Sequence, residues 1–136
     1  MSTKPLLRDQ VRANNAYTAV RSIRDDRSPG KLRENYRTEV MSLGPTILRI
    51  GLAGALSLLE GRAKNPAVDR LLAHLAAAGV VGLTNASGGD LASKVRTLSA
   101  ADYMLATREL LRVATWLRRA VQALVPAESG QEQRHA

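Results

Sequence analysis

The stretch from Ser99 to Leu124, SAADYMLATRELLRVATWLRRAVQAL, decides the fold. Within it Tyr103, Thr107, Leu110, Ala114, Leu117, Val121 and Leu124 follow one another at alternating spacings of four and three. A helix turns once in about 3.6 residues, so this spacing lays all seven along one face. Ser99, with Asp102 three residues later, supplies a start signal: a hydroxyl N-cap and a carboxylate in the first turn. Pro126 closes the helix. No stretch of the chain shows the two-residue alternation of a strand worth the name. The chain reads as all-α.

Moving toward the N-terminus, Leu91 to Leu98 reads as a short helix and Gly79 to Asp90, with four glycines, as a loop. Asn65-Pro66 is a cap followed by a proline suited to the first helical position, opening a helix to about Ala78. Pro45 to Glu60 is apolar nearly all round and is expected at the centre of the core. Gly51 and Ala55 in it suggest a groove where a neighbouring backbone approaches. Before it, Leu32, Tyr36, Val40 and Leu43 mark a separate helix, ended by Gly44-Pro45 because proline disfavours helical geometry in the residue before it. Leu6, Ala13, Tyr17, Val20 and Ile23 mark the first helix, and Ser28-Pro29-Gly30 the turn after it. The expectation is a single-domain bundle of about five to seven helices over residues 1–126, with 127–136 a disordered tail. Ile47, Leu52, Leu56, Tyr103, Leu110 and Leu117 are expected in its core.

At 136 residues the chain suits one domain with a modest core. Phe is absent, and Tyr17, Tyr36, Tyr103 and Trp116 are the only aromatics, so Leu, Ala, Val and Ile fill the interior. The net charge of +8 points to an anionic partner. Sixteen of the twenty cations are Arg, whose planar fork matches phosphate oxygens. Arg-rich codon usage would give the same ratio but not the same net charge. The longest strongly apolar run, Ile50–Leu59, is ten residues, well short of the roughly 20 that cross a bilayer. With no signal-peptide core near the N-terminus, a soluble cytoplasmic protein without membrane contact is expected.

Catalysis finds little support. The absence of Cys excludes thiol nucleophiles and thiolate metal sites. His74 reads as a structural residue in an apolar helix, and His135 lies in the tail. Asp25 and Asp26 are adjacent, and neighbours one apart do not converge on a helix face. Gly88-Gly89 lacks the following Lys-Ser or Lys-Thr of a phosphate loop. No metal and no cofactor are expected.

At about 100° per residue, Arg108, Arg112 and Arg119 fall within about 40° of one another, opposite the apolar seam. Trp116 flanks them, four residues after Arg112, where a cation–π contact is expected. Arg118 sits on the border of the apolar face. Arg8 with Arg12, and Arg33 with Arg37, are like-charged pairs at helical spacing, each costing its helix a few tenths of a kcal/mol that an outside anion would offset. Singly such pairs read as solvated faces; together, on a chain of +8, they suit a polyanion. The tyrosines fall in register with apolar seams, leaving none obviously free to stack on bases, so contact with backbone phosphate is favoured over sequence reading. Leu43 to Ile47 imitates the turn of a helix-turn-helix, but Ile47 to Leu59 offers only Arg49 and Ser57 as polar members, too few for a recognition helix.

Three segments together resemble the small subunit of the type III-B CRISPR Cmr effector complex. They are Arg12 with Ala16-Tyr17 and Val20; Gly44 to Leu48 with Gly51-Leu52 and Ala55-Leu56; and Asp102-Tyr103, Ala106 to Glu109, Leu111 and Trp116-Leu117-Arg118-Arg119. Leu58 and Thr115 depart from the family's usual Phe and Asn, at packing positions. The resemblance implies an all-α, non-catalytic subunit. Copies would stack as the minor filament along the guide–target RNA duplex, touching its backbone and other Cmr subunits. Arg108, Arg112 and Arg119 are the leading RNA-contact candidates, with Arg12, Arg49 and Arg118 behind them. The competing readings are a protein-binding helical adaptor with no direct RNA role and a DNA-binding regulator.

Overall fold

A computed structural model describes residues 7–127. The remainder of the expected tail, 128–136, together with Leu6 and His135, lies outside the described residues. Five helices follow in order: α1 (Arg8–Arg24), α2 (Leu32–Gly61), α3 (Pro66–Ala76), α4 (Leu91–Arg96) and α5 (Ala100–Leu124), with no strand among the described residues. The two predicted start signals are both used. Asn65 accepts a hydrogen bond from the Ala67 amide at 2.9 Å, and Ser99 from the Asp102 amide at 3.2 Å.

The expected helix end at Gly44-Pro45 requires correction. Pro45 lies inside the first helical segment of α2, and the helical backbone breaks instead at Gly51, with φ 83 and ψ 164. That region of φ/ψ space is open almost only to glycine. Pro45 merely forgoes one amide donor, whereas Gly51 redirects the chain. Two helical segments therefore meet end to end, and the second needs partners for its first amides. One comes from α5: the Tyr103 hydroxyl accepts the Ala53 N–H at 3.0 Å. The same oxygen lies 3.4 Å from where a Cβ on Gly51 would sit. The close approach at Gly51 is thus made by a tyrosine side chain rather than a neighbouring backbone.

By length and composition α2 would suit a membrane span, yet it is packed against α3, α4 and α5 in the bundle. Tyr36, Val40, Leu43, Ile47, Leu52, Ala55, Leu56 and Leu59 are its buried residues. From α5 come Ala106, Leu110, Val113, Ala114, Leu117, Ala120 and Val121. Of the six expected core residues five are buried, while Tyr103 is half-buried because its hydroxyl serves the α2 break. In α1 the buried seam is Arg12, Ala16, Val20 and Ile23, rotated from the expected one so that Tyr17 is half-buried and an arginine is enclosed.

Replacing Gly51 by Ala should destabilise the fold by about 1–3 kcal/mol through backbone strain. Tyr103→Phe should cost about 1–3 kcal/mol by orphaning the Ala53 amide. Urea unfolding of both variants checks this; parent-like midpoints would mean that the break is not held as described.

Candidate nucleic-acid interface

The exposed face of α5 is set by what covers its flanks. On one side α1 runs parallel to it: Arg12 pairs with Glu109, and Ala16 and Ala19 line a cleft with Val113 and Leu117. On the other side α2 runs the opposite way, since Ala53 meets Tyr103 while Met41 shares a cleft with Arg118. Arg108, Arg112 and Arg119 project from the face left over, all exposed. Among the described residues none of the three has a carboxylate partner. The predicted stripe exists as drawn from helix geometry.

Glu109 explains why the stripe is uncompensated. It is one of only two acids on α5, and its carboxylate turns toward α1, where it accepts from Arg12. The side chains of this pair are 6% and 15% exposed. Arg12 therefore leaves the candidate interface. It is a buried packing residue paired with Glu109 inside the molecule, while its Nη1 lies 4.0 Å from Asp9 and is enclosed without a hydrogen-bond partner among the described residues. Nothing local in the sequence announced this partner, 97 residues away.

The cation–π contact also differs from expectation. Arg119, not Arg112, lies over the Trp116 ring, 5.1 Å from its centroid. Residues three apart on a helix meet as readily as those four apart, and a side chain leans toward the N-terminus of its helix, so Arg119 folds back over Trp116. The ring restricts where the Arg119 guanidinium can go. Arg118 is exposed on the α2 flank, lining a cleft with Gly44, Pro45 and Leu48. Arg49 is exposed on α2, on a different helix from the stripe.

Other cations are occupied within the fold. Arg62 holds Glu39 through two bonds of 2.6 and 2.8 Å, Arg70 reaches Asp26 at 3.0 Å, and Arg96 reaches Glu60 at 3.2 Å. Hydrogen bonds from Ser28 and then Arg70 hold the Asp26 carboxyl down to about 2. His74 is engaged as well: its Nδ1 lies 2.7 Å from the Tyr36 hydroxyl, with the rings edge to face. Burial and then nearby Arg70 push the His74 pKa down to about 4 and keep the ring neutral. No cluster of three or more metal-ligating side chains occurs among the described residues.

A sequence model of the family described as CRISPR-associated protein (Cas_Cmr5) matches residues 8–124. The chain is 32% identical over 120 residues to the CRISPR system Cmr subunit Cmr5 of Thermus thermophilus, an alignment covering 87% of this chain and 96% of that protein. The crystal structure of a CRISPR-associated Cmr5 family protein from Thermus thermophilus superposes with a TM-score of 0.73 at 29% identity, over 88% of this chain and 98% of the other.

The buried polar groups can be tested by substitution and by pH. Glu109→Ala should cost about 3–5 kcal/mol, because it strands the Arg12 charge, whereas replacing both partners by Leu should cost less. Denaturant unfolding of the single and double variants separates these outcomes, and equal losses would contradict the buried-pair account. For His74, the unfolded ring protonates near 6.5 and the folded ring only near 4. Its contribution to stability is full above pH 6.5, falls as pH drops toward 4, and changes little below that. An NMR titration of the folded protein should place the His74 ring near 4; a value near 6.5 would contradict its enclosure.

Proposed function

The chain belongs to the CRISPR-associated Cmr5 family, and on that premise we propose that it is a non-catalytic subunit of a type III-B Cmr complex that lies along the guide–target RNA duplex. The observation that carries this reading is the face of α5 on which Arg108, Arg112 and Arg119 stand exposed with no carboxylate among them. Such a row of uncompensated guanidinium groups suits phosphates spaced along a backbone. A row of this kind also draws a polyanion from a distance, which speeds association at low salt. Arg118 is a secondary contact on its margin, and Arg49 a further one on α2. The fold gives His74 a structural partner in the Tyr36 hydroxyl.

Protein neighbours have their own surface. Leu7 just before α1, Val11 in its first turn, and Met104 and Leu105 in the first turns of α5 are exposed apolar side chains, as is Leu48 on α2. These suit contact with other Cmr subunits or with further copies of this chain in a filament. They are also the observation that favours the second reading, a helical adaptor whose cationic face meets acidic protein surfaces.

Salt dependence separates the two. Each phosphate contact on single-stranded RNA contributes about −0.7 to the slope of log K against log salt. Arg112→Ala with Arg119→Ala should make that slope shallower by about 1.4 if each arginine meets one phosphate. An unchanged slope, with failure of the double variant to co-purify with the assembly, would transfer the stripe to protein contact.

A further inference from the structure

In the second like-charged pair, Arg33 with Arg37, neither arginine pairs among the described residues with a carboxylate as Arg12 does with Glu109. Arg33 donates to the Asp26 carbonyl at 2.9 Å, but Arg37 has no carboxylate partner among the described residues. Its Nε is enclosed with no hydrogen-bond acceptor among the described residues. A guanidinium that has lost water along one edge and gained no acceptor is held at a cost unless a counter-charge arrives.

Space for one exists beside it. Lys31, Arg33, Glu34, Asn35, Arg37 and Thr38 line a largely polar cavity of about 310 Å³, together with Val125 to Ala127. Three cations against one carboxylate leave the lining at +2 (31, 33 and 37 against 34). The cavity stands at the start of α2, where Lys31 occupies the cap position without a capping side chain. The first amides of α2 thus add their partial positive charge to the same end. The polar lining, surplus positive charge and unanswered Arg37 converge on a compact anion with several acceptor oxygens.

We propose that this cavity is a phosphate-binding site, with Arg37 and Lys31 as its charged ligands. It rests on the RNA reading and deepens it, because the site lies at the C-terminal end of α5, beyond Arg119, and would take one further phosphate of a strand following the α5 face. The same chemistry fits free phosphate, so the two sources are tested apart.

Inorganic phosphate is titrated into the full chain while amide and Arg Nε–H NMR signals are followed. Saturable shifts confined to residues 31–38 and Arg37 Nε–H are expected, lost in Arg37→Gln and kept in part in Arg37→Lys. Shifts that never saturate, or that survive in Arg37→Gln, overturn the site. If polyglutamate but not phosphate produces the shifts, the cavity is a carboxylate-docking site for protein and the phosphate assignment fails. Single-stranded RNA is then bound across salt. Arg37→Gln should lower the slope by about 0.7, independently of the Arg112 and Arg119 variants. A lowered slope in Arg37→Gln with none in the α5 double variant would uphold the cavity and sink the α5 reading. The reverse pattern would sink the strand-following role of the cavity, and saturable phosphate shifts with no slope change would leave free phosphate as its ligand. Circular dichroism of both Arg37 variants confirms that helix content is retained.

Discussion

The hydroxyl of Tyr103 meets the Ala53 amide where α2 breaks at Gly51, and the placement of α2 against α5 follows from that contact. Amides freed inside a bundle need acceptors, because an enclosed donor without one costs more than a lost bond in water. Tyr103 can supply the acceptor only if α5 runs along α2 in the observed register. On its other flank α5 is fixed by Glu109, which holds the buried Arg12 of α1. With both flanks committed, one face of α5 remains for solvent, and it carries Arg108, Arg112 and Arg119. The cationic face is in this sense a by-product of satisfying polar groups in the interior.

The same logic sorts the arginines of the chain. Arg12, Arg62, Arg70 and Arg96 each find a carboxylate within the fold and tie distant segments together. Those on the exposed face of α5 find none among the described residues, because the helix turns Glu109 inward and has only Asp102 besides. Surface pairs such as Arg96 with Glu60 contribute little to stability, whereas the enclosed Arg12–Glu109 pair is costly to break. Uncompensated charge repels itself and weakens the isolated fold slightly, which is consistent with a surface whose partner is an anion.

Much of the architecture is legible in the sequence because local chemistry and long-range packing agree there. Asn65-Pro66 and Ser99 to Asp102 open helices where their capping chemistry says they should, and the seam of α5 follows from spacing alone. The expected boundary at Gly44-Pro45 fails because proline's penalty is local and the core on both sides outweighs it. The break at Gly51 is hidden in a segment apolar on every side, where no period marks a change of direction. Arg12 reads as a surface cation because its partner is remote in sequence, and only the α1–α5 packing reveals it. The stripe of Arg108, Arg112 and Arg119 is legible because helix geometry fixes it, while the choice of Arg119 over Arg112 as the Trp116 partner depends on side-chain direction.

The central claim is that the exposed face of α5 lies against RNA rather than protein in the assembled complex. A photo-crosslinking side chain placed at position 112, in a Cmr complex reconstituted with guide and target RNA, tests it directly. The account predicts a covalent adduct with RNA that resists protease and is lost on nuclease digestion. An adduct formed only with a neighbouring protein subunit, with RNA present and bound, would contradict it.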